Sequence, residues 1–77
     1  MVIKILGSGC TNCQRLEALA LKAVEQLGID ATVEHVTDYV EIMGYGIMST
    51  PGLVVDEKVK VAGRVPSLDE IKAVLQS

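Results

Sequence analysis

The sequence predicts an α/β fold in the order strand, helix, strand, helix, strand, strand, helix. Three observations carry that prediction. The β-branched run Val2-Ile3-Lys4-Ile5-Leu6 ends on Gly7-Ser8-Gly9 and reads as a strand entering a loop. The apolar period then becomes helical: Leu16, Leu19, Ala20, Ala23, Val24 and Leu27 fall at i, i+3, i+4, i+7, i+8 and i+11. Near the other end, Ser67 and Glu70 stand at capping-box spacing around a helix that carries Leu68, Ile71, Val74 and Leu75 on one face.

The remaining elements follow from local signals. Thr11 and Gln14 have capping-box spacing, so the first helix begins at or just after Cys10. Gly28 closes it as a left-handed cap, with Ile29 placed to fold back on Val24. Residues 31–36 read as a second strand. Asp38 and Glu41 open a short helix carrying Val40, Ile42 and Met43, which stops around Gly44 or Gly46. Leu53-Val54-Val55 and Val59-Lys60-Val61 form a hairpin around Asp56-Glu57-Lys58. No Asn-Gly or Asp-Gly pair marks its turn, whose type stays open. With no internal repeat and no linker-like stretch, residues 1–77 read as one domain.

Composition narrows the function. A chain of 77 residues hides only about 60–65% of its unfolded surface, so the aliphatic side chains must do most of the stabilising. Tyr39 and Tyr45 are the only aromatics, and the net charge is −3. Both features argue against a nucleic-acid partner, which calls for stacking platforms and cations. No apolar run approaches the ~20 residues of a membrane span. Lys4 interrupts the residues before Gly7, leaving no signal-peptide region. The expectation is a soluble, cytoplasmic monomer. Asp30, Glu34, Asp38 and Glu41 occupy a segment without Lys or Arg and read as a solvated acidic face.

Chemistry concentrates in Gly9-Cys10-Thr11-Asn12-Cys13. Cytoplasmic thiols are kept reduced, so a close cysteine pair there points to catalysis or metal binding rather than a structural bridge. A helix start supplies orphan N–H groups and the positive end of the dipole, which favour thiolate at Cys10. Cys13, one turn deeper, is within reach as a resolving thiol.

The pair and the downstream half together resemble the thioredoxin and glutaredoxin superfamily, in the small archaeal and bacterial form with a redox-active disulfide. Tyr45-Gly46-Ile47 followed by Met48-Ser49-Thr50-Pro51-Gly52-Leu53 is similar to that family's segment leading to a cis-proline at the head of a strand. Ala62-Gly63-Arg64 resembles its glycine after the final strand. The resemblance implies a minimal fold with a four-stranded mixed sheet flanked by three helices. It implies Cys10 as nucleophile, Cys13 as resolving cysteine and no organic cofactor or metal. Thr50 and a cis Pro51 would hold the substrate, with Gly9, Thr11, Asn12 and Gly63 as supporting loop residues. Disulfide-bearing proteins and a reductase are the implied partners. Three features depart from the family pattern: Gly9 replaces its Trp, Thr11-Asn12 replaces Gly-Pro, and Lys4 stands where a buried acid relays protons.

Gly7-x-Gly9-Cys10-x-x-Cys13 before an amphipathic helix also resembles heavy-metal-associated domains, which carry Cu(I)-type ions on two thiolates. Those domains end in a strand, whereas this chain predicts a final helix. Structural zinc needs four ligands, and the two cysteines with His35 supply three. His35 itself reads as a surface or edge histidine, and Ile47 and Met48 as core or rim.

Overall fold

The computed structural model describes residues 1–7 and 11–76. Its elements are β1 (Val2–Leu6), α1 (Thr11–Leu27), β2 (Thr32–Val36), α2 (Tyr39–Gly44), β3 (Gly52–Val55), β4 (Lys58–Ala62) and α3 (Leu68–Gln76). This is the predicted order, with boundaries moved by a residue or so. The sheet runs β2-β1-β3-β4; β1 pairs parallel to β2 and antiparallel to β3, and β3 pairs antiparallel to β4. It is the four-stranded mixed sheet of a minimal thioredoxin fold, and it ends in a helix, unlike a heavy-metal-associated domain.

Strand alternation sorts β1 between two apolar layers. Ile3 and Ile5 pack with Leu16, Ala20 and Ala23 of α1 and with Ile71 and Leu75 of α3. Leu6 faces the opposite layer, with Ile42 of α2, Ile47 and Val54. All three β1 side chains are fully buried, each stabilising the fold by about 1.5–3 kcal/mol through burial alone. Helices α1 and α3 therefore cover one face of the sheet and α2 the other. The buried stripe of α1 starts one turn earlier than its aliphatic residues indicate, at Cys13.

The caps partly follow prediction. Asp38 accepts a hydrogen bond from the Val40 N–H at 2.9 Å and opens α2. The Gly28 N–H closes α1 on the carbonyls of Val24 and Glu25. Ser67 Oγ accepts from the Glu70 N–H, but both Glu70 carboxylate oxygens are engaged by Arg64, at 3.1 and 2.6 Å, so the reciprocal half of the box goes elsewhere. Thr11 is the first helical residue of α1 and so does not take the capping position its spacing with Gln14 predicts.

The open hairpin is a two-residue turn. Val55 pairs with Lys58, and Asp56 and Glu57 between them have φ of 49° and 68°. Two successive left-handed residues match the right-handed twist of the strands, which is why Asn-Gly usually serves here. Neither residue is glycine, and contacts to β1 hold both. The Asp56 N–H donates to the Val2 carbonyl at 2.8 Å, and Asp56 Oδ1 accepts from the Val2 N–H at 2.9 Å.

Candidate active site

Gly7 organises the described part of the site. Its N–H donates to the Val36 carbonyl at 2.9 Å, extending the β1–β2 ladder by one step. A Cβ built on this buried glycine would clash with the Cys13 Sγ, 3.2 Å from Cys13 Cβ and 3.8 Å from Thr50 Cβ. The missing side chain thus leaves the notch in which the Cys13 sulfur lies, and Thr50 borders the same notch. Residues 7 and 13 meet residue 50, distant in sequence, because β1, the first turn of α1 and the entry to β3 converge there.

Cys13 is fully buried, while Thr11 and Asn12 in the same turn are exposed. The Thr50–Pro51 peptide bond is cis, as the family resemblance implies. Thr50 is exposed and Pro51 buried, so the chain dives into the core at the head of β3. Gly63 closes this corner: its N–H donates to the Pro51 carbonyl at 2.8 Å, with φ of 78°. A Cβ there would lie 2.6 Å from Ser49 Oγ, so both conformation and space call for glycine. Gly9 and Cys10, assigned from the sequence as supporting residue and nucleophile, lie outside the described residues.

Lys4 proves to belong to a separate cluster. Alternation along β1 places it on the α2 face with Leu6, across the sheet from α1. Its Nζ donates to Tyr45 Oη at 2.9 Å and to Glu57 Oε1 at 2.6 Å; Tyr45 Oη donates to Glu57 Oε2 at 3.1 Å. The ammonium also lies 5.6 Å from the centre of the Tyr45 ring, within cation–π range. The cluster ties β1 to the hairpin turn and to the segment leading to Thr50. The sequence reading missed it; the signal was the lone lysine in an apolar strand. His35 lies on the α1 side, with Nδ1 3.3 Å from Glu17 Oε2, as a surface pair.

These ion pairs set an acid limb for stability. The hydrogen bond from Lys4, then that from Tyr45, holds the Glu57 carboxyl below its ordinary 4.5. Arg64 does the same for Glu70. A depressed carboxyl stabilises the fold above its unfolded value and loses that contribution as pH falls through its folded value. Lys4 is shifted upward, chiefly by Glu57, so its contribution persists through the ordinary lysine value of 10.5. Denaturant unfolding of Glu57→Gln/Glu70→Gln is expected to show a deficit against wild type near neutrality that closes as pH drops below 4.5. A deficit independent of pH contradicts this assignment.

The whole-chain comparison agrees with the geometry. A family model described as thioredoxin domain matches residues 1–76. A thioredoxin from Methanothermobacter thermautotrophicus is 48% identical over 75 residues, covering 97% of each chain. One from Methanocaldococcus jannaschii is 43% identical over 77 residues, covering all of this chain and 88% of its own. Near-complete coverage at this identity, on a minimal thioredoxin fold, means that the chain belongs to the thioredoxin family.

Proposed function

We propose that this protein is a cytoplasmic thiol–disulfide oxidoreductase acting on protein disulfides through Cys10 and Cys13. The observation that carries the reading is the notch at Gly7, which sets the Cys13 sulfur beside Thr50 at the cis-proline corner. The Cys10 thiolate attacks one sulfur of a substrate disulfide, forming a mixed disulfide and expelling the other sulfur as thiolate. Cys13, deprotonated, then attacks Cys10, forming the Cys10–Cys13 disulfide and releasing the second substrate thiolate. Two electrons pass to the substrate, and a reductase dithiol returns them. Thr50, exposed at the entry to β3, offers its backbone edge to an extended substrate segment. Thr11, Asn12 and Gly63 support the loops around the exchange, which needs no metal or organic cofactor.

Burial separates the two thiols. Cys13 is 0% exposed, so iodoacetamide at neutral pH is expected to alkylate Cys10 of the reduced protein first and to block insulin-disulfide reduction as it does so. Equal labelling of both thiols removes the nucleophile assignment. Failure to reduce insulin, combined with tight retention of Cu(I) against a competing chelator, favours a soft-metal carrier instead.

A further inference from the structure

Three side chains far apart in sequence close on one another where α2 ends. Lys4 of β1 donates to Tyr45 Oη and to Glu57 Oε1, and Tyr45 Oη donates to Glu57 Oε2, so each is bonded to the other two. With Glu41 and Gly44 they line an open cavity of about 410 Å³. An exposed ion pair adds modest stability by itself, but a closed triangle of hydrogen bonds fixes the direction of every member. Tyr45 is the member from which a functional segment departs. Its N–H closes α2 on the Ile42 carbonyl at 3.1 Å, and the chain runs from there to Thr50.

That segment is anchored at alternate residues. The half-buried Tyr45 and the buried Ile47 both pack in the layer of Leu6, Ile42 and Val54. Ile47 also lies over Gly52, where an added Cβ would stand 2.8 Å from its Cδ1. Ser49 Oγ occupies the space left by the missing side chain of Gly63, and the Pro51 carbonyl accepts from the Gly63 N–H at 2.8 Å. Between these anchors Met48 and Thr50 face solvent. The Tyr45 hydroxyl adds polar, directional links from the start of the segment to β1 and to the hairpin turn.

On the exchange reading above, we infer that Tyr45, held by Lys4 and Glu57, is a positioning residue that fixes the segment presenting the Thr50 backbone to a peptide substrate. Lys4 thereby serves substrate binding from the sheet face opposite α1. A peptide lying along Thr50 feels a loosened segment. A small disulfide that needs only the thiols does not.

Two variants cut the tether in different ways. Tyr45→Phe removes the hydroxyl and keeps the packed ring. Glu57→Asn shortens the acceptor and suits the left-handed turn position, where φ is 68°, so the hairpin is not strained. For a peptide disulfide, KM is expected to rise at least about threefold in both, the scale of one lost hydrogen bond, with kcat unchanged. Hydroxyethyl disulfide should be reduced with the wild-type kcat/KM. Backbone NMR order parameters across residues 46–50 should fall in both variants. Ile71→Val, a small core truncation on the other face of the sheet, should alter neither readout. Wild-type KM for the peptide in both tether variants overturns the positioning role and leaves exchange standing. An equal loss with hydroxyethyl disulfide, or an equal rise in Ile71→Val, also overturns it, by tracing the effect to the thiols or to stability. Wild-type protein that reduces neither disulfide overturns the exchange reading itself.

Discussion

Cys10→Ser is expected to lower insulin reduction to the uncatalysed background, while Cys13→Ser accumulates a stable adduct with its substrate. The asymmetry follows from the order of attack. A serine hydroxyl remains protonated near neutrality and cannot open a disulfide, so without Cys10 no bond to substrate forms. Without Cys13 the first bond still forms, but no internal thiol displaces it, and the mixed disulfide persists. Cys13 is fully buried and therefore poorly placed to substitute as the first attacker. Mass spectrometry of each variant after incubation with a peptide disulfide reads the result directly: an adduct on Cys13→Ser and none on Cys10→Ser. The opposite pattern exchanges the roles of the two residues.

Gly7→Ala is expected to damage stability and turnover together, although it adds only one methyl group. The new Cβ would clash with the Cys13 Sγ, so one of the two must move. Neither has room. The Gly7 N–H is tied to Val36 at the end of the β1–β2 ladder, and Cys13 is wedged on a buried stripe that continues through Leu16 and Ala20. Overpacking of this kind costs about 1–3 kcal/mol. In a domain of this size each kcal/mol lowers Tm by about 4–8 °C. Displacing the sulfur also disturbs the thiol that the exchange reading uses for resolution, so the mixed disulfide should resolve more slowly in stopped-flow measurements. An unchanged Tm with normal resolution contradicts the notch.

Much of the architecture was legible because it rests on local periodicity and caps. The α1 stripe from Leu16 to Leu27, the Asp38 cap and the final helix all appear where their patterns place them. The Thr50–Pro51 cis bond was legible only through resemblance, since Thr-Pro alone carries no such information. Other features were hidden because their causes are nonlocal. Asp56-Glu57 lacks a turn signature, and contacts with Val2, Lys4 and Tyr45 hold it in left-handed conformations. Arg64 diverts Glu70 from its capping role through an approach no spacing rule anticipates. Lys4 stands in sequence where the family pattern has the acid of a proton relay. Strand parity instead turns it to the opposite face of the sheet, where Tyr45 and Glu57 receive it.

The central position of β1 has a consequence for how the chain is made. The central strand precedes both of its partners in the chain: Thr32–Val36 on one side, Gly52–Val55 on the other. At synthesis rates of about 5–20 residues per second, roughly 50 further residues take about 3–10 s. Throughout that interval Ile3, Ile5 and Leu6 lack a complete sheet to enter. The β3–β4 hairpin is the one strand pairing that is short in sequence, and it too lies beyond the midpoint of the chain. Assembly of the full sheet is thus deferred until Gly52–Val55 has been synthesised, and β1 has its antiparallel partner only from then on.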